Sequence, residues 1–309
     1  MKAPQGDARL LAGFWLGVLG VTCFAITLPA TRLATGTAEQ PQLAPLFLTF
    51  GRAALAGLLS VIFLLLTRSP IPQRAHWPAL AAAVVGNVIA YPLLLAWALR
   101  SVTATHAAVI TALSPLATAV VAAWLLHQRA RPAFWVLALA GSALVVLFAW
   151  LRAGTHGGFG FATADLLLMA AVAAASVGYV YGAKITPVLG AERVICWVCA
   201  AALPVTLPVT LWLWPESPGD IRGISWVAFV YLGSVSMWAG FFAWYRGLDW
   251  GGALRVSQTQ LLQPFLSMLS AWPLLGEQPD AVSFGFALAV VATVFASRHL
   301  PQTEKQRRT

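Results

Sequence analysis

Charge is what this chain has least of. Asp, Glu, Lys and Arg make up only 9% of its 309 residues, against roughly 25% in an ordinary soluble domain. With 60% hydrophobic residues and a mean hydropathy of +0.79, water is not the solvent for most of it, and a sizeable soluble domain is excluded. Acid is scarcest, ten Asp and Glu against 19 Lys and Arg, and none of the ten falls in the middle of an apolar run; Asp165 and Asp249 stand near the ends of runs. Proton-coupled export of cations ordinarily uses a membrane-embedded carboxylate that trades its proton for the cation. The lack of one argues against that mechanism and favours a facilitator, or coupling through another group. Phosphorylated solutes call for several converging Lys or Arg side chains, and only Arg52 lies deep in an apolar run.

Metal and enzyme chemistry have equally little to stand on. The five histidines, His76, His106, His127, His156 and His299, occupy separate segments without metal-ligand spacing. The Cys196-Trp-Val-Cys199 pair lacks the second pair that a zinc site needs. Small thiols inside an apolar segment read as buried hydrophobes. No glycine-rich phosphate loop stands between a strand and a helix. The expectation is a protein without cofactor or metal that is not an enzyme. The net charge of +9 is scattered between apolar runs and forms no basic face, so nucleic acid is not an expected partner.

What the chain does have is long apolar runs. About 20 apolar residues span a hydrocarbon core of roughly 30 Å. Windows bounded by Pro, Gly and charge predict helices near residues 9–31, 43–66, 77–99, 103–126, 132–151, 163–186, 192–214, 224–247, 251–275 and 281–298. Trp residues such as Trp15, Trp77, Trp150 and Trp212 stand near the predicted ends, where indole rings sit at headgroup level. With the N-terminus inside, fourteen Lys and Arg fall on the cytoplasmic side and four, Arg32, Arg100, Arg152 and Arg222, on the other. That bias puts both termini in the cytoplasm.

Sliding the chain on itself by 149 residues aligns Leu99 with Leu248, Ala104 with Ala253, Pro115 with Pro264 and Thr118 with Ser267. The expected architecture is therefore all-α and integral to the membrane. Ten transmembrane helices form two inverted five-helix repeats, residues 1–152 and 153–309, because an odd number of spans per half turns the second half over.

The stretch Ala98-Leu99, Ala107-Ala108, Leu113-Ser114-Pro115, Leu125-Leu126, and its repeat Gly247-Leu248, Gln263-Pro264, Leu274-Leu275-Gly276-Glu277, resemble the drug/metabolite transporter superfamily, in particular EamA-type permeases. Such permeases typically close the fourth and ninth spans with Gly-Glu; here the ninth has it and the fourth has His127-Gln128. Arg52 also resembles an arginine often found there. The resemblance implies a multi-pass carrier of the bacterial inner membrane working by alternating access. The richness in Trp is most similar to bacterial exporters of neutral and aromatic amino acids. Small amphipathic solutes, hydrophobic and aromatic amino acids first among them, are the expected cargo. The alternatives are a broader metabolite or drug exporter, or, in another class, an intramembrane enzyme or a non-transporting membrane component. The expected partners are a small-molecule substrate and the lipid bilayer, and no residue pattern requires a second copy.

Residues that could bind the solute follow from what a membrane helix leaves unsatisfied. Pro92, Pro115 and Pro264 each delete a backbone N–H, freeing the carbonyls of Val88, Thr111 and Gln260 for a wet cavity and marking candidate gating breaks. Thr111 with Ser114, and their mates Gln260 with Gln263, lie beside two of these breaks, as solute contacts or as hydrogen bonds between spans. Asn87 and Tyr91 share a face of the third span; Ser236, Trp238, Phe242 and Tyr245 line its mate. Of Tyr179 and Tyr181 at most one can face a cavity, since residues two apart on a helix do not share a face. Arg52 is expected to act as a structural charge, clasping carbonyls, with a substrate carboxylate as the alternative.

Overall fold

The computed structural model describes residues 5–125, 163–251, 258–278 and 280–298, together with isolated positions between 135 and 151. The expected helix over 132–151 therefore lies largely outside the described residues. The described chain is helical throughout and contains no strand. Its first hydrophobic run forms α1 (Gln5–Ala25) and α2 (Thr27–Thr35); then come α3 (Pro45–Leu66), α4 (Trp77–Ala83), α5 (Tyr91–Ala98), α6 (Ala104–Thr111) and α7 (Ser114–Leu125). Beyond residue 162 stand α8 (Thr163–Leu189), α9 (Ala191–Trp212), α10 (Gly223–Tyr231), α11 (Gly240–Gly251), α12 (Gln263–Leu275) and α13 (Ala281–Arg298).

Six continuous stretches among the described residues are long and apolar enough to cross a membrane: Ala8–Thr35, Pro45–Leu66, Arg74–Ala98, Thr163–Thr186, Glu192–Trp212 and Gly223–Trp244. Their outward surface is apolar as well, with Trp15, Leu66 and Trp212 each at least 60% exposed, which suits lipid and not water.

Proline accounts for several of the deviations in these spans, because it removes a donor and crowds the carbonyl four residues earlier. Pro29 strips the Ala25 carbonyl of its partner, the first span breaks there into α1 and α2, and the Ser267 hydroxyl of α12 donates to that carbonyl at 2.8 Å. Ser267→Ala should therefore lower thermal stability in detergent by about 1 kcal/mol, more than Ser270→Ala, whose hydroxyl bonds within its own helix. The fourth predicted span is two helices, α6 and α7, separated ahead of Pro115. Of the ninth, expected as one helix over 251–275, the part from residue 258 on is a 3₁₀ turn, Gln258–Leu262, followed by α12, which begins with Pro264 in its first turn. Proline there starts a helix, where its missing N–H has no partner to lose.

Glycine lets α1 and α11 approach closely. A Cβ on Gly247 would stand 2.7 Å from the Gly17 nitrogen and 2.9 Å from the Gly13 carbonyl oxygen, so these helices cross at glycines. The three cysteines are free thiols, with Cys196 and Cys199 buried in the wall between α3 and α9.

Candidate functional site

Two of the spans change geometry halfway along. Val84–Ala90, between α4 and α5, and Leu232–Ala239, between α10 and α11, are π-helical. Such wide turns concentrate at functional sites, since they leave carbonyls unspent and re-aim side chains. The Tyr91 N–H reaches the Gly86 carbonyl, five residues back. The Gly240 N–H reaches Val235 in the same manner, and both members of this second pair stand 149 residues after those of the first. The first segment has a sequence cause, because Pro92 cannot supply the bond that would close an α-turn on Val88. The second has no proline.

The two π segments face a shared cavity. Asn87 and Val88 enter it from the first segment and their mates Ser236 and Met237 from the second. Arg52 of α3, Thr27 of α2, Tyr91 of α5, Tyr179 of α8 and Gln263 of α12 complete its polar lining; Phe24, Ile195 and Phe241 complete the apolar part. The Ser236 and Thr27 hydroxyls are 2.8 Å apart, and the Arg52 guanidinium donates through Nη2 to Ser236 Oγ at 3.4 Å. Arg52 is 3% exposed, and its Nε has no hydrogen-bond partner among the described residues. The same holds for Asn87 Oδ1. The Asn87 amide lies against bare backbone: a Cβ on Gly178 would meet Oδ1 at 2.4 Å.

Of the residues singled out in the sequence, the cavity thus gathers Asn87, Tyr91, Tyr179, Ser236, Gln263 and Arg52. Thr111, Ser114, Trp238 and Gln260 do not line it. Thr111 spends its hydroxyl on the Ala107 carbonyl of its own helix at 2.8 Å. The carbonyl that Pro115 frees on Thr111 is taken by the Ser114 hydroxyl at 2.7 Å, so this break satisfies itself. Trp238 stands two residues past Ser236, hence on another face, and packs on Phe63 and Phe242 with centroids 6.4 and 4.7 Å away. Gln260 sits in the 3₁₀ turn ahead of α12, where no α-helical carbonyl is freed by Pro264. The carbonyl clasp expected of Arg52 is made by another arginine: Arg32 Nη1 donates to Leu99 O at 2.6 Å and also to Val102 O. Tyr181 does not line the cavity, and the side chain of Tyr245 lies outside the described residues. Phe24, Thr27, Ile195 and Phe241 carried no signal in the sequence, because an apolar or hydroxyl side chain facing a cavity looks the same as one facing a neighbouring helix.

Two polar links lie away from the cavity. His106 Nε2 meets Asp165 Oδ1 at 2.6 Å, joining α6 to α8. Glu277, carried past the end of α12 by Gly276 in the left-handed conformation (φ 71°), accepts from the backbone N–H groups of Ala104 and Thr105 at 3.1 and 3.0 Å and pairs with Arg32 Nε at 3.4 Å.

A bundle of apolar spans around a polar, aromatic-edged cavity at mid-helix is the construction of a membrane transport protein. The chain belongs to the EamA-like transporter family, which matches it twice, over residues 11–151 and 162–298. It is 39% identical over 285 residues to the "Uncharacterized transporter YdeK" of Bacillus subtilis (strain 168), covering 92% of this chain and 96% of that one. It is 26% identical over 304 residues to the "Probable terminal-alkyne amino-acid exporter" of Streptantibioticus cattleyicolor, covering 94% and 95%. A solved crystal structure at 20% identity covers 94% of the chain and 97% of its own with a TM-score of 0.60, a likeness of fold.

Proposed function

We propose that the protein exports small amphipathic solutes, in the first place hydrophobic and aromatic amino acids, by alternating access through the cavity between its two π-helical segments. The observation that carries this reading is the pairing of Asn87 with Ser236 and of Val88 with Met237 across the cavity, each pair 149 residues apart. Two like half-sites facing one cavity are what an internally repeated carrier needs, and the tandem family match supports the same division. In this reading residues 1–152 and 153–309 form two inverted five-span halves, both termini face the cytoplasm, and the membrane is the bacterial inner membrane, as the bacterial relatives and the positive-inside bias suggest. Asn87, Tyr91, Tyr179 and Gln263 contact the solute, and Phe24, Phe241 and Met237 hold its apolar body. The amino-acid assignment draws on the exporter named among the relatives; export itself rests on that relative and on the resemblance.

Counterflow tests this. Proteoliposomes preloaded with unlabelled amino acids should accumulate labelled tryptophan and phenylalanine in preference to alanine. Asn87→Ala and Gln263→Ala should each cut the rate at low substrate by about tenfold, while Gln260→Ala leaves it near wild type. Equal losses in all three variants would point to a general packing defect, and failure of well-folded protein to take up any amino acid would remove this substrate assignment.

A further inference from the structure

The geometry points to Arg52 as the anchor for a solute carboxylate, which makes a free acid group, and not an amine, the feature that this carrier demands of its cargo. The inference rests on the amino-acid reading of the cavity and says which end of the solute is recognised.

An arginine inside a membrane span must face a cavity or a partner, since its charge is costly in hydrocarbon. Arg52 is seven residues into the span Pro45–Leu66 and almost wholly buried. A guanidinium carries five N–H donors. Among the described residues these find one acceptor, the Ser236 hydroxyl, at a distance of 3.4 Å, and Nε finds none. Among the described residues no carboxylate lines the cavity. Glu277 and Asp165 are engaged elsewhere, Glu277 by α6 and Arg32, Asp165 by His106. The cavity thus holds a buried positive charge with no counter-charge among the described residues, a costly state until an anion arrives.

The surroundings specify which anion. One planar fork matches one carboxylate, taken through two parallel N–H bonds. A phosphate would require further cations, and the described lining has none. Ser236 Oγ, already accepting from Arg52, keeps its own proton, which Thr27 or the solute can receive. On the apolar side stand Phe24, Ile195, Met237 and Phe241, so the cargo has its charge at one end and its hydrophobic body at the other.

The test uses solutes that share one indole body. Counterflow of labelled tryptophan into wild-type proteoliposomes is challenged with unlabelled tryptophan, indole-3-propionate (acid without amine), tryptamine (amine without acid) and tryptophan methyl ester. The two free acids should compete, and tryptamine and the ester should be weaker by about 10- to 100-fold. In Arg52→Gln, checked for monodispersity in detergent, tryptophan uptake should fall by a similar factor and the preference for acids should vanish. Arg52→Lys should stay intermediate, because an ammonium lacks the fork. Tryptamine competing as well as tryptophan in wild type, or Arg52→Gln keeping the preference for acids, overturns the inference and leaves the carrier reading standing. If wild type takes up no labelled amino acid at all, the substrate reading fails and takes this inference with it. The wild-type competition decides the matter even if no Arg52 variant folds.

Discussion

Gly86→Ala should be strongly destabilising, lowering the stability of this protein by about 3 kcal/mol, the upper end of what overpacking costs. A Cβ there would stand 2.5 Å from the Ala174 carbonyl oxygen and 2.8 and 2.9 Å from the nitrogen and Cα of Gly178. All three are backbone atoms of α8, which cannot swing aside as a side chain can. The site-bearing π segment and α8 must then separate as whole elements. Gly178→Ala meets a different obstacle, the Asn87 amide, with Oδ1 at 2.4 Å and Cγ at 2.6 Å. A side chain can yield, so this substitution should cost less stability and instead turn Asn87 out of place, reproducing the transport defect of Asn87→Ala. Gly182→Ala is the control one turn further along α8. Its nearest neighbour would be a Val194 methyl at 3.9 Å, and replacing a helical glycine by alanine gains up to about 1 kcal/mol. Thermal unfolding in detergent micelles with tryptophan counterflow on the same preparations checks all three. Equal melting temperatures for Gly86→Ala and Gly182→Ala would remove the close helix crossing from the account.

The transmembrane nature of the chain was legible because twenty apolar residues in a row have few other uses, and the segments over 43–66, 163–186, 192–214 and 281–298 recur in the structure within a few residues. Proline marked some of the departures from helical ideality, neither all of them nor their form, since α9 runs unbroken through Pro204 and Pro208 and the second π segment has no proline. Pro92 produces a π turn, Pro115 a break that Ser114 heals, Pro264 a helix start, and Pro29 a break that Ser267 repairs from another span. The outcome depends on which acceptor or donor is nearby in three dimensions, and that information is not local.

The same distinction divides the candidate site residues. Asn87 was readable because a primary amide has few partners within its own helix, so its presence at membrane depth implies an interior face. Thr111 and Ser114 were misleading because a hydroxyl can bond the carbonyl one turn back and need nothing else. Tyr179 and Tyr181 could be separated in principle by helical spacing, but only the packing of α8 decides which one turns inward. Arg52 gave an unmistakable signal of interior placement. Its partner did not follow, since the hydroxyl it touches lies 184 residues away.

The link at Glu277 leads to the second large effect. Glu277→Ala should lower stability by about 3 kcal/mol, because one side chain performs two tasks. Its carboxylate caps α6, accepting from the Ala104 and Thr105 N–H groups and from the Thr105 hydroxyl at 3.2 Å, where the positive end of the helix dipole favours an anion. It also neutralises Arg32, which in turn holds the carbonyls of Leu99 and Val102 at the turn between α5 and α6. The residue therefore ties the end of α12 to α2 and to that turn. With side chains only 17% and 13% exposed, Arg32 and Glu277 leave a costly unpaired charge when either is cut alone. The double variant Arg32→Ala/Glu277→Ala should accordingly be less destabilised than the sum of the two single ones, by about 1–3 kcal/mol of coupling. Glu277→Gln separates the tasks, for the amide oxygen can still accept from α6 but no longer balances Arg32, and its loss should lie between wild type and Glu277→Ala. The exposed pair Arg246–Glu192, at 2.6 Å but with the arginine side chain 51% exposed, makes the comparison: cutting it should change stability by less than about 1 kcal/mol. Strict additivity of the Arg32 and Glu277 substitutions would show that the two side chains act separately, and that the ends of α2 and α12 are held together by packing alone.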